Sequence, residues 1–227
     1  MKFHQYQDRH NIYEPTHYFL IALSNLFVIV CTVIAVAMIA FQIIFDSAPV
    51  IGQSMNPTLN LTGSDTDRVY INNFAHVTYN DVVVLTIDDG SGEEEKNIIK
   101  RVIGLEGDRI KFQLGDDGYY YVVRNGKILI EDYIKDYADN KIKRDQFVTM
   151  CQTDDRYDAT TGEYVVGNNE VFVLGDNRGR SSDSASVGAI SLDCLWGRVD
   201  YVTPTDLNFF VFFGQQFFTL GKIRYTF

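Results

Sequence analysis

The sequence has little of the chemistry that metal sites and disulfide frameworks need. Only three of its 227 residues are cysteine, and no Cys-x-x-Cys motif or Cys/His cluster is present. This supply is too small for a disulfide scaffold or a zinc site, so we predict no metal and no other cofactor. Cys151 and Cys194 could form a bridge if this part of the chain lies outside the cell, but the sequence does not give their separation.

Basic residues are also scarce. The chain has 20 Lys and Arg against 30 Asp and Glu, which gives a net charge of -10. Because binding to a phosphate backbone usually requires a basic stripe, this composition excludes nucleic acid as a partner. An acidic body also stays away from anionic lipid except where a segment tethers it.

One long segment contains no charge at all, and it extends from Tyr18 to Phe45. A helix of these 28 residues spans about 42 Å, enough to cross a hydrocarbon core of about 30 Å. A cleaved secretory peptide is the alternative, but the apolar core of such a peptide is only about 7 to 15 residues long. The sequence therefore predicts an uncleaved, single-pass transmembrane anchor at residues 18–45, with membrane lipid as a partner.

The charges on either side of this segment predict its direction. Lys2 and Arg9 precede it, whereas residues 46–65 contain no Lys or Arg. By the positive-inside rule, residues 1–17 are cytoplasmic and residues 46–227 form an extracytoplasmic domain of a cell-membrane protein.

The chain after the anchor is dominated by short β-rich segments. An Asn-Gly pair at residues 125–126 predicts a tight hairpin, because both central residues of the favoured turn need positive φ. The fold class is mainly β: an all-β domain of antiparallel sheets, with a small inserted subdomain at about residues 116–169, of which residues 131–169 are more polar. The aromatic segment 207–218 is either a closing strand or a patch at the membrane interface. The predicted strands lie at residues 68–79, 81–87, 97–105, 108–114, 119–130, 170–176 and 197–202.

Ser54, in the stretch GQSMNPTL at residues 52–59, raises the question of what could activate it. A serine hydroxyl is a poor nucleophile unless an adjacent base takes its proton. The one histidine after the anchor, His76, lies in a predicted strand and in no recognisable motif. Lys100, in NIIKRVIGLEGD, has apolar neighbours, and desolvation lowers the pKa of a lysine so that it can act as a base. On that segment alone, a surface lysine with its amine in water is the alternative.

A third segment, GDNRGRSSDSASVGAI at residues 175–190, is rich in hydroxyls and turn formers. Its composition is typical of a polar loop. It also offers the hydrogen-bonding groups that a buried catalytic lysine needs to hold its amine in position.

The three segments and the anchor, in this order, resemble the type I signal peptidases. These are membrane-anchored Ser-Lys proteases that cut signal peptides from exported proteins. The resemblance implies that Ser54 is the nucleophile, that Lys100 is the general base, and that the hydroxyl of Ser181 positions the lysine amine. The other supporting residues that it implies are Gly52, Met55, Pro57, Arg101, Gly175 and Asp183. Residues implied for pockets that accept small substrate side chains are Val50, Ile51, Val82 and Val84.

The chain departs from the family pattern after Asp183. An arginine that pairs with this aspartate is usual in the family two residues later, but this chain has Ala185. Either Arg178 or Arg180 supplies the charge, or Asp183 is satisfied differently. Gly52 stands where some relatives have a serine that helps to stabilise the oxyanion, so the backbone N–H of Ser54 is expected to carry much of that task.

These features predict a membrane-anchored serine endopeptidase that removes signal peptides from exported preproteins through an acyl-enzyme. Its partners are then the signal peptides themselves. The alternative is a non-catalytic or substrate-dedicated membrane-anchored β module of the same fold that binds an export or surface-assembly partner.

Overall fold

The computed structural model describes residues 15–60, 67–87 and 96–204. The chain separates into two units, residues 1–44 and residues 45–227. The described part of the first unit is a helix, α1 (Pro15–Ile44), which begins with proline, a residue whose fixed φ suits the first helical position. The stretch His17–Ile44 is long and apolar enough to cross a membrane. Phe45, which the sequence placed at the end of the span, is the first residue of a strand.

The second unit is built on two antiparallel sheets, and the larger sheet has seven strands in the order β1-β2-β12-β3-β4-β10-β11. Strands β3 and β4 lie near its centre and pair in the register Val83 to Lys100. The strands are β1 (Phe45–Pro49), β2 (Asp67–Asn72), β3 (Val82–Ile87), β4 (Lys96–Gly104), β10 (Glu170–Leu174), β11 (Ile190–Ser191) and β12 (Leu195–Pro204).

The smaller sheet has five strands in the order β7-β6-β5-β9-β8. These strands are β5 (Arg109–Leu114), β6 (Tyr120–Arg124), β7 (Lys127–Ile128), β8 (Tyr157–Asp158) and β9 (Glu163–Val165). Strands β6 and β7 form the predicted hairpin, with φ values of 52° at Asn125 and 75° at Gly126. The mainly β fold class and the antiparallel sheets are thus confirmed, whereas the inserted subdomain at about residues 116–169 stays a prediction.

Two α-helices follow the first unit among the described residues, and the sequence pattern predicted neither. Helix α2 (Asn140–Cys151) buries Asn140, Lys143, Phe147 and Cys151 along one face, and α3 (Ser184–Val187) is a single turn. Half of the buried face of α2 is polar, so the helix lacks the apolar periodicity by which a sequence reveals an amphipathic helix. The second unit is therefore mainly β and not free of helix.

Other differences concern the edges of the larger sheet. The strand predicted at residues 68–79 ends at Asn72, and His76 lies beyond it in an exposed segment without regular structure. Strand β1, with sequence FDSAP, was not predicted because Asp, Ser and Pro are poor strand formers. Its extended conformation is stabilised by antiparallel pairing with β2. The aromatic segment 207–218 lies outside the described residues.

A buried apolar cluster lies beneath the turn that follows β1. Met55 and Leu59 from this turn are 2% and 1% exposed, and they pack with side chains of β2, β3 and β12. Burying a side chain of this size stabilises the fold by about 1.5–3 kcal/mol. The cluster therefore fixes the turn against the sheet. Its fully buried members are Val50, Met55, Leu59, Val69, Ile71, Val82, Val84 and Val199.

Candidate active site

The turn that carries Ser54 is fixed by hydrogen bonds as well as by packing. The side-chain amide of Asn60, which is 1% exposed, donates to the carbonyls of Val50 (3.0 Å) and Gly52 (3.1 Å). Gly52 has a φ of 89°, a conformation that residues with a side chain rarely adopt. Pro57 follows a cis peptide bond. These contacts hold the segment 50–60 as a closed loop with half-buried Ser54 on it.

Lys100 of β4 lies directly beside Ser54. Its Nζ is 3.0 Å from Ser54 Oγ and donates to the carbonyl of Ile99 at 2.9 Å. The residue is 3% exposed, so it is not a surface lysine with its amine in water. The pKa of Lys100 is lowered to about 8, mainly by burial and in smaller part by the nearby Lys143 cation, while Asp183 and Asp176 act in the opposite direction.

Arg101, the next residue of β4, forms a buried ion pair that links this strand to the segment after β10. Its Nε and Nη2 donate to the two carboxylate oxygens of Asp176 at 2.8 and 2.6 Å. Thr58, in the same loop as Ser54, donates its hydroxyl to Asp176 as well. The guanidinium also lies 4.0 Å from the centre of the Tyr133 ring. Arg101 and Asp176 thus link β4 to the segment after β10 and, through Thr58, to the loop that carries Ser54.

Gly175, in the segment after β10, lies against the turn that carries Ser54. A Cβ on Gly175 would lie 2.3 Å from Ser181 Oγ and 2.5 Å from the carbonyl oxygen of Ser54. The backbone N–H of Asn177 donates to that same carbonyl at 3.0 Å. Ser181 is 8% exposed, and within the described residues its hydroxyl has no hydrogen-bond partner. The structure therefore brings Ser54, Gly175 and Ser181 together, without a hydrogen bond from Ser181 to the amine of Lys100.

Asp183 forms its ion pair with Lys143, a residue that the sequence pattern did not indicate. Lys143 of α2 places Nζ 3.1 Å from Asp183 Oδ2, and both side chains are 0% exposed. The carboxylate also accepts the backbone N–H groups of Gly175 (3.0 Å) and Ala185 (3.2 Å), the second as the N-cap of α3. Burial lowers the pKa of Lys143, and Asp183 opposes that effect. No local pattern marks this pair, because its members are 40 positions apart.

Neither arginine proposed for Asp183 pairs with it by an ion pair among the described residues. Arg178 donates to both oxygens of Glu131, and it is held by Asn140 Oδ1 at 2.6 Å. Arg180 donates to the side-chain oxygen of Gln53 at 2.7 Å. The first pair is fully buried and the second is exposed, so the two arginines have separate structural roles.

A cleft of about 540 Å³ opens next to Ser54 and Lys100. Three of the four residues predicted for the substrate pockets, Val50, Ile51 and Val84, are in its wall, whereas Val82 is 1% exposed and belongs to the cluster beneath it. The wall of the cleft also includes Trp196, whose indole N–H donates to Asp46 at 3.0 Å. The remaining lining residues are Ser47, Ala48, Pro49, Gly52, Ser54, Met55, Asn97, Ile98, Ile99 and Lys100.

The three cysteines are free thiols, so Cys151 and Cys194 do not form the bridge that the sequence left open. Cys151, the last residue of α2, is buried, and burial raises its pKa to about 12, whereas Cys194 is half-buried.

Residues 23–203 match the family model described as "Signal peptidase, peptidase S26". The chain is 28% identical to a signal peptidase I of Streptococcus pneumoniae serotype 4 (strain ATCC BAA-334 / TIGR4), over 78% of this chain and 89% of that protein. It is 30% identical to a signal peptidase I of Bacillus caldolyticus, over 77% of this chain and 86% of that protein. A solved structure of a signal peptidase I from Enterococcus faecalis V583 is 23% identical, covers 55% of this chain and 97% of its own, and has a TM-score of 0.36.

Proposed function

Because the chain belongs to the signal peptidase family, peptidase S26, and is a serine peptidase, we propose that it removes signal peptides from exported preproteins. We further propose that the reaction runs through Ser54 as nucleophile and Lys100 as general base. One observation carries this assignment: a buried amine whose pKa is lowered to about 8 lies 3.0 Å from a serine hydroxyl. A lysine becomes a base near neutral pH when its surroundings disfavour the ammonium form.

The two groups would act in a fixed order. The neutral amine of Lys100 takes the proton of Ser54 as Oγ attacks the carbonyl carbon of the scissile peptide bond. The resulting ammonium gives that proton to the leaving amine, the peptide C–N bond breaks, and an ester to Ser54 remains. Water then attacks the ester with Lys100 again as base, which frees the serine and releases the acid product.

The supporting residues follow from this scheme. The hydroxyl of Ser181, which is buried and has no hydrogen-bond partner within the described residues, would be available to position the amine. Gly175 and Asp183 would hold the Ser181 segment against the Ser54 turn, and Arg101 would fix β4 through Asp176. The backbone N–H of Ser54 would stabilise the oxyanion, because Gly52 offers no side-chain hydroxyl.

The cleft beside Ser54 suits an extended peptide with small side chains near the cleaved bond. The walls supplied by Val50, Ile51 and Val84 are apolar, and Ala48 keeps part of the cleft open. Small residues at the first and third positions before the cut characterise the exit sites of signal peptides. Main-chain hydrogen bonds to an extended segment would align the substrate without regard to most of its side chains.

Helix α1 has the length and apolar composition of a membrane anchor. We propose that it anchors the enzyme in the cell membrane once, with residues 1–17 inside and residues 46–227 outside, as the charges around it indicate. Ser54 follows Phe45 by only nine residues, and a signal peptide also leaves the membrane at its surface. A short tether raises the effective concentration of such a substrate at the site.

The assignment is tested with the full-length chain in detergent and a preprotein that carries a small-x-small exit site. Ser54→Ala and Lys100→Met should each abolish cleavage while leaving thermal unfolding close to wild type. Ser182→Ala and Lys127→Met are the matched controls, because both residues are exposed, and they should cleave at the wild-type rate. Near-normal cleavage by either dyad variant would refute the mechanism.

A further inference from the structure

Lys143 is a buried cation that the proposed mechanism does not use. It lies on α2, outside the three motifs of the family resemblance, and its side chain is 0% exposed. Its amine contacts Asp183 Oδ2 (3.1 Å), the backbone carbonyl of Ser181 and the side-chain oxygen of Gln146 (3.0 Å). An ammonium has three protons to donate, and each of these three acceptors can take one.

The contacts of Lys143 converge on the segment that adjoins the reacting pair. It holds Ser181 through the backbone and Asp183 through the carboxylate. Asp183 in turn accepts the N–H of Gly175, on which a Cβ would lie 2.5 Å from the carbonyl oxygen of Ser54. A continuous series of contacts therefore leads from α2 to the nucleophile turn.

Lys143 also affects the balance of charge around the amine of Lys100. The charged groups that act on its amine are Asp183, Asp176 and Lys143. Asp176 is neutralised by Arg101, and Asp183 is neutralised by Lys143. The further buried pair, Arg178 with Glu131, is also balanced. Each buried carboxylate at the site thus has its own cation, which leaves Lys100 without an ion-pair partner among the described residues.

We propose that Lys143 is the fixed counter-charge of Asp183 and a positioning residue for the Ser54–Lys100 pair. It would supply the positive charge for which the family resemblance implies an arginine two residues after the aspartate, where this chain has Ala185. The inference rests on the proposed Ser-Lys mechanism. Without Lys143, Asp183 would be an unpaired buried carboxylate near Lys100, and it would favour the ammonium form over the neutral base.

The test is the pH dependence of kcat/KM for preprotein cleavage, measured with the full-length chain in detergent. This quantity reports the ionisation of the free enzyme. Lys143→Met and Lys143→Gln remove the charge, Lys143→Arg keeps it, and Lys141→Met changes an exposed lysine on the same helix. The acid limb of the profile is the pH range in which kcat/KM rises as Lys100 loses its proton. The two neutral variants should shift this limb to higher pH by about one pH unit, which lowers the rate near pH 7 by about tenfold and leaves most of the rate at high pH.

The limb should stay in place for Lys143→Arg and for Lys141→Met. Neutral variants that fold and lose rate equally at every pH would overturn the proposal, because a merely structural residue does not move the limb. If neither neutral variant folds, Asp183→Asn is added to each. Recovery of folded protein then supports the charge pairing, and continued unfolding contradicts it. If Lys100→Met has the same pH profile as wild type, that result would instead refute the proposed mechanism.

Discussion

A single methyl group at Gly175 should disable the proposed site by displacing Ser54, its proposed nucleophile. In Gly175→Ala the new Cβ would lie 2.5 Å from the carbonyl oxygen of Ser54 and 2.3 Å from Ser181 Oγ. Ordinary contact begins at about 3.4 Å, so the Ser54 carbonyl would have to retreat by about 0.9 Å. A displacement of about 1 Å at a reacting group can cost about 100-fold in rate, or about 3 kcal/mol of transition-state stabilisation.

The assay is kcat for preprotein cleavage by Gly175→Ala beside thermal unfolding of the same protein. Gly167→Ala is the matched control, because its nearest neighbour, Glu170 Oε2 at 2.7 Å, is the end of a side chain that can move away. The control should keep wild-type kcat. Adding Ser181→Gly to Gly175→Ala removes one overlap and leaves the overlap with the Ser54 carbonyl, so the double variant should remain slow. Full activity of Gly175→Ala, or its recovery in the double variant, would refute this reasoning.

Two further predictions concern stability and thiol chemistry. Arg101→Met leaves Asp176 buried without its cation, which should cost about 3–5 kcal/mol and lower Tm by on the order of 10 °C. Arg109→Met, which removes an exposed pair at 3.6 Å, should change Tm little, and equal effects of the two changes would contradict the argument. In a Cys31→Ala background, native Cys194 should react with a thiol reagent faster than Cys151, because Cys151 is 2% exposed and burial raises its pKa to about 12. Equal labelling rates, or no free thiol without a reductant, would show that this description of the cysteines is wrong.

The parts of the site that lie within short motifs were predictable from the sequence. Ser54 and Lys100 stand 46 positions apart, yet each belongs to a local segment whose residues indicate its role, and the structure brings the two side chains to 3.0 Å. The hairpin at Asn125 and Gly126 was also predictable, because a tight turn is specified by adjacent residues.

The supports of the site depend on contacts between distant segments, and these were not predictable. Lys143 reaches Asp183 across 40 positions, and Glu131 reaches Arg178 across 47. The buried face of helix α2 includes the polar residues Lys143 and Asn140. Because polar residues stand where an amphipathic helix usually has apolar ones, the sequence of α2 resembles that of a polar loop. Strand β1 was missed for a related reason, since its order comes from pairing with β2 and not from the propensities of its own residues.

In the proposed mechanism Lys100 acts as a neutral base toward Ser54, and the pH dependence of kcat/KM of the full-length wild type tests this role most directly. The neutral amine is the active form, so the rate should rise with pH through a limb near 8, well below the ordinary lysine value of 10.5. At pH 7 about 9% of the amine is then neutral, against about 0.03% for an unperturbed lysine. A limb near 10.5, or a limb near 8 that persists in Lys100→Met, would contradict the account.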